Sequence, residues 1–226
     1  MEREITVVFK TEIETLCGDD GLVSKRKMEN LAMVCTNIRN SGVNVLLVSS
    51  GAIAMGAATL NMNPVPRGIT AKQAVAAVGQ AELINAYQDC FEKYGQTVAQ
   101  VLITSDVTDD PVRNINARNT FGRLLQRGVI PIINENDSVS TSDIVLNDNY
   151  PLALIASSLT DADAIVVNTA DAERYLIMIK GKPSVITAST DELIDLFSRI
   201  LQDGYKKTDD NDRFPGFNEY AGATLN

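Results

Sequence analysis

Val129-Ile130-Pro131-Ile132-Ile133 runs directly into Asn134-Glu135-Asn136-Asp137, and this junction decides the fold. Five apolar residues rich in β-branched side chains have the pattern of a strand covered on both faces in a parallel sheet. Such a strand delivers the residues after it to the carboxyl edge of the sheet, where open α/β folds place their ligands. Here that edge receives two amides and two carboxylates within four residues. A polar β-turn, with Asn and Asp selected for turn chemistry, is the alternative reading.

A second edge of the same kind strengthens the ligand reading. Asn44-Val45-Leu46-Leu47-Val48 is an apolar strand followed by Ser49-Ser50-Gly51-Ala52-Ile53-Ala54-Met55-Gly56. If Ala52 opens a helix, its unpaired N–H groups and the hydroxyls of Ser49 and Ser50 make an anion site, with Gly51 permitting close backbone approach. An ordinary helix cap is the plainer alternative. Together the two edges suggest a small anionic ligand held by backbone N–H groups and polar side chains.

Working outward, strands and helices alternate. Ile5–Phe9 is a first strand, and Ser24 caps a helix with Met28, Leu31, Cys35 and Ile38 at helical spacing, closed by Gly42. Thr70–Tyr94 is helical, with Gly79 a bend. Val98–Thr104 is a strand and Pro111–Gln126 a helix. A polar loop reaches about Tyr150, followed by a helix over Pro151–Leu159 and a strand over Ala164–Asn168. Beyond Ala170 the pattern weakens to a short strand, Ser184–Thr187, and a helix, Thr190–Ile200. Repeated βα units predict an α/β fold with a mainly parallel sheet between two helical layers. Residues 1–202 are expected to form one domain and 203–226 a polar tail.

Composition narrows the chemistry. The net charge of −9 argues against a nucleic-acid surface. No apolar run has the length of a membrane span. The three cysteines form no CxxC pair, which suggests a reducing, cytoplasmic setting. Histidine is absent, so Ser-His-Asp and Cys-His catalysis and histidine-ligated zinc are excluded. Lysine, arginine, carboxylates, amides and backbone dipoles remain, an inventory suited to phosphoryl transfer.

Four segments then carry a resemblance. Val-Ser-Ser-Gly-Ala-Ile-Ala-Met-Gly (48–56), Lys-Gln-Ala-Val-Ala-Ala-Val-Gly-Gln (72–80), Ala-Gln-Val-Leu-Ile-Thr (99–104) and Ile-Pro-Ile-Ile-Asn-Glu-Asn-Asp-Ser-Val (130–139) resemble, in matching order, the glutamate 5-kinases of the amino-acid kinase family. The likeness spans roughly the first 170 residues. It implies a three-layer αβα sandwich and ATP-dependent phosphorylation of the L-glutamate γ-carboxylate, the first step of proline synthesis. It further implies Mg-ATP as co-substrate, proline as a feedback ligand and a homo-oligomeric assembly.

The resemblance places glutamate against Ser50, Asp137 and Asn149, with Gly51, Ala52, Asn134 and Asp148 at further site positions. The residue chemistry agrees, because Asp137 can pair with an α-ammonium group while Ser50, Gly51 and Asn149 donate to carboxylates. Lys10 corresponds to the family lysine that grips the transferred phosphate, and Thr169 falls in the stretch lining the nucleotide pocket. No metal ligands are assigned.

The nucleotide half departs from the family pattern. Where Lys-x-Gly-Thr-Ser is expected, this chain reads Lys10-Thr11-Glu12-Ile13-Glu14. An extra negative charge about 4 Å from a phosphate costs on the order of 4 kcal/mol at an effective dielectric of about 20. Glu12 is therefore an obstacle unless it points away or binds a cation. Tyr150 replaces an acidic residue and Asn147 a glycine. Thr169-Ala170-Asp171-Ala172-Glu173-Arg174-Tyr175 lacks the expected Asp and Gly, and no Gly-Thr-Gly-Gly-Met segment occurs after it. The C-terminal RNA-modification-type domain of many family members is not expected either. The sequence thus leaves three readings: a glutamate-binding homologue with weak or no kinase activity, an active glutamate 5-kinase with a divergent nucleotide site, or a kinase for another acceptor.

Overall fold

The computed structural model describes residues 4–18, 22–140, 149–168, 174–180 and 185–202. In chain order its elements are β1 (Thr6–Lys10), the single turn α1 (Ile13–Leu16), α2 (Lys25–Asn40), β2 (Asn44–Val48), α3 (Ala52–Thr59) and α4 (Ile69–Glu92). After these come β3 (Val98–Ile103), α5 (Pro111–Gln126), β4 (Ile130–Glu135), α6 (Tyr150–Thr160), β5 (Ala164–Asn168), β6 (Arg174–Ile179), β7 (Val185–Ser189) and α7 (Thr190–Gln202).

The strands form one sheet in the order β3-β4-β2-β1-β5-β6-β7. Pairing from β3 through β5 is parallel, and β6 and β7 add an antiparallel margin. Successive side chains of a strand leave opposite faces of a sheet. Accordingly Val7, Phe9, Val45, Leu47 and Ile132 pack with Met28 and Ile38 of α2, Leu83 and Phe91 of α4 and Phe197 of α7. Val8, Leu46, Val48, Ile133 and Val167 pack on the other face with Phe121 of α5 and Leu152 and Ala156 of α6. The result is the expected αβα sandwich, and the continuous apolar runs reflect burial on both faces.

Register sets up the site. Lys10 pairs with Val48, and Val48 with Ile133, so three neighbouring strands end together at one carboxyl edge. Parallel strands lie about 4.8 Å apart, hence the three ends span roughly 10 Å.

Several expectations change. β4 does not stop at Ile133 but continues through Asn134 and Glu135, both buried, because their backbone pairing with Leu102 and Ile103 persists after the apolar run ends. Gly79 marks no interruption of α4. It faces α3, where a Cβ at Gly79 would stand 1.7 Å from the Ala52 carbonyl oxygen and one at Gly56 2.0 Å from that of Val75. The two glycines allow the helix backbones to touch. β6 is a strand that the sequence pattern does not announce. The 203–226 tail and most of the polar loop (141–148) lie outside the described residues, as do Asn147 and 169–173.

Candidate functional site

A cavity of about 270 Å³ opens at the carboxyl edge where β1, β2 and β4 end. Its lining includes Ser50, Gly51, Ala52, Asn134, Asp137 and Asn149, so all six described residues expected to hold the amino acid meet in one place. They arrive from two regions far apart in sequence, 50–52 and 134–149. Asp148 and Thr169 lie outside the described residues.

Each wall is set by local structure. Gly51 adopts φ +108° and opens α3 without a side-chain cap, leaving Ala52, Ile53 and Ala54 to present first-turn N–H groups where they line the cavity. A Cβ at Gly51 would fall 2.7 Å from Ile13 Cδ1, so both backbone conformation and space favour glycine. Ser49 departs from expectation. Its hydroxyl turns inward to the Tyr87 hydroxyl at 2.8 Å, caps nothing and lies outside the cavity lining, while its carbonyl accepts from Asn149 Nδ2 at 2.7 Å. This last bond ties the start of α6 to the end of β2.

Asn134 is oriented by its own strand, its Oδ1 accepting from the Glu135 N–H at 2.9 Å. Asp137 is nearly buried, and desolvation pushes its carboxyl above the ordinary carboxylate range, opposed by a hydrogen bond from Gln80. Gln80 also donates to the Glu135 carbonyl at 3.4 Å, so α4 braces the loop that carries Asp137. Glu135 itself is buried rather than lining the cavity; desolvation raises its carboxyl too, and its Oε1 has no hydrogen-bond partner among the described residues.

Lys10 closes β1 with no side-chain exposure and forms an ion pair with Glu12, whose side chain is 28% exposed and lines the cavity. The carboxylate that sequence alone makes an obstacle thus does bind a cation, the chain's own Lys10. The turn after it is fixed by Thr15 Oγ1 donating to the Glu12 carbonyl at 2.7 Å and by a 3.0 Å contact between the Thr11 and Thr15 hydroxyls. Tyr150 is absent from the cavity lining. Its ring packs in the core and its hydroxyl points to Met178 Sδ at 3.3 Å.

Sequence reasoning does not assign Lys72, Val65, Ile53 or Ala54 to this cavity. Lys72 stands first in the 72–80 segment, which is the only signal the sequence offers for it. Among the described residues no group of three or more His, Cys, Asp or Glu could hold a metal ion, and no helix is long and apolar enough to cross a membrane.

Residues 16–172 match the model of the amino acid kinase family. The chain belongs to that family. This amino acid kinase family member is 44% identical over 165 residues to the glutamate 5-kinase of Listeria innocua, 42% over 161 residues to that of Clostridium tetani and 43% over 165 residues to that of Clostridium perfringens. These alignments cover 71% of this chain and 60–61% of the relatives. The family member therefore spans about three fifths of the length of the curated relatives it matches.

Proposed function

We propose that the chain binds L-glutamate in this cavity and catalyses its phosphorylation by Mg-ATP weakly or not at all. The observation that carries this reading is the Lys10–Glu12 ion pair beside a cavity lined by Ser50, Asn134, Asp137 and Asn149. Asp137 would take the α-ammonium group, while Ser50, Asn149, Asn134 and the first N–H groups of α3 would take carboxylate oxygens. Asp148 and Thr169 keep the family roles proposed from the resemblance. On the nucleotide side, the Glu12 carboxylate offsets the charge of the buried Lys10 ammonium that would meet a transferring phosphoryl group.

The second reading, an active glutamate 5-kinase, is favoured by a specific observation. Lys10 is present, and Glu12 is partly exposed, so its carboxylate can turn outward, away from Lys10. The γ-carboxylate is already a nucleophile at neutral pH and needs no general base, so Lys10 and positioning would suffice. Names of the relatives support glutamate as substrate under either reading.

Paired calorimetric titrations with L-glutamate and then Mg-ATP separate the two. Glutamate binding with no nucleotide binding, and no acyl phosphate trapped by hydroxylamine, supports the first. Glutamyl hydroxamate formed at a steady rate overturns it in favour of the second. Glu12→Gly should raise Mg-ATP affinity at least about tenfold, since it removes a negative charge from the nucleotide side. Unchanged nucleotide affinity in that variant would refute the assigned role of Glu12.

A further inference from the structure

We propose that Lys72 is the specificity-determining cation of this cavity, pairing with one of the two carboxylates of an α-amino dicarboxylate. The inference rests on the glutamate reading and deepens it. Charged groups on the cavity lining are Glu12, Glu14, Asp137 and Lys72, so Lys72 is the only cation among these described residues. Glu12 is already paired with Lys10, which does not itself line the cavity. The Lys72 side chain is half-buried and makes no hydrogen bond or ion pair among the described residues.

Its position is held rather than incidental. Lys72 lies four residues into α4, which Gly56 and Gly79 lock against α3. The neighbouring Gln73 donates to the Ser140 carbonyl at 3.4 Å, and Gln80 farther along the same helix donates to the Glu135 carbonyl. Both bonds fasten α4 to the segment bearing Asp137. A lysine near a helix N-terminus opposes the helix dipole, whereas an anion there is favoured by dipole and ammonium together. A bound carboxylate resolves that conflict.

Charge matching then fixes the ligand class. Asp137 accounts for the ammonium group and the α3 N–H groups for one carboxylate. A second carboxylate finds its counter-charge in Lys72. A neutral side chain would leave that ammonium half-desolvated and unpaired, which disfavours amide analogues.

The test is calorimetry of wild type, Lys72→Met and Lys72→Arg with L-glutamate, L-glutamine and the α-amide of glutamate. Wild type should prefer glutamate to both amides. Lys72→Met should weaken glutamate about 10-fold or more while leaving one amide within about twofold of its wild-type affinity. That amide identifies the carboxylate Lys72 holds. Lys72→Arg should stay within about threefold for glutamate, since the positive charge is kept. Equal glutamate affinity in wild type and Lys72→Met, or equal weakening of all three ligands, overturns the assignment of Lys72 alone. Failure of wild type to bind glutamate overturns the glutamate reading and this assignment with it. Unfolding midpoints of both variants should be no lower than that of wild type, because Lys72 has no partner to lose among the described residues and its charge opposes the α4 dipole.

Discussion

Asp137 is 7% exposed, and its raised carboxyl makes glutamate binding pH-dependent in a defined direction. The ionised form is the one that pairs with an ammonium group, so affinity should fall as pH drops through the raised value. Glutamate's own side chain titrates near about 4.3. Asp137→Asn removes the protein's share of this pH dependence, so a Kd-against-pH curve identical in wild type and variant would contradict the role given to Asp137. Glu135 supplies the complementary stability test. Burial raises its carboxyl, with the charges of Asp137 and Asp106 adding to the effect and a Ser140 hydrogen bond opposing it. The folded state thus holds this proton to higher pH than the unfolded state, and stability declines as pH climbs from the unfolded value through the folded one. Glu135→Gln removes the buried charge at the same size, and should stabilise the protein by on the order of 1 kcal/mol at pH 7. The gain should shrink at pH 4, where the wild-type group is already protonated. Urea unfolding at both values decides it, and an equal effect at both would count against the titration account.

At the scale of elements, the α3–α4 crossing is the joint on which the cavity depends. Gly79→Ala puts a Cβ into the Ala52 carbonyl, a backbone atom that cannot rotate away. Overpacking of this kind costs about 1–3 kcal/mol. Because Ala52 opens α3 and lines the cavity, glutamate affinity should fall together with the urea midpoint. Gly122, inside α5 with nothing near its missing Cβ, is the contrasting position. There Gly→Ala should stabilise by about 0.5–1 kcal/mol and leave binding alone. Gly79→Ala behaving like Gly122→Ala would mean that the crossing has slack its close backbone contacts do not suggest. Element boundaries also reveal what a hydrophobic pattern detects. β2, β5 and α5 match their sequence-derived limits because apolar runs with turn or cap residues bound them. β4 runs two residues past its limit because backbone pairing, not side-chain polarity, ends a strand. β6 escapes a sequence reading because Arg174 and Tyr175 fall in a stretch that resembles a nucleotide loop, although Leu176–Ile179 is an apolar run that pairs antiparallel with β5.

For the molecule as a whole, the layered architecture is legible in the sequence because five parallel strands and their covering helices repeat one unit. Much of the amino-acid pocket is legible as well, since its residues come directly after strand ends that the apolar runs announce. Pairings set by side-chain direction are not. Lys10 and Glu12 are two residues apart, and nothing in their spacing says that one neutralises the other rather than facing solvent. Ser49 and Ser50 are chemically alike, yet only Ser50 lines the cavity, because Tyr87 captures its neighbour. Lys72 resembles any lysine on a helix until α4 is seen pressed against α3. The cavity draws on β1, β2 and β4 at once, three ribbons that meet only after distant parts of the polypeptide have come together. An occupant gripping all three acts as a rivet through the middle of the sheet. Amide hydrogens there should exchange with deuterium more slowly once it is seated, while those of the β6–β7 border, which the rivet does not reach, keep their former pace.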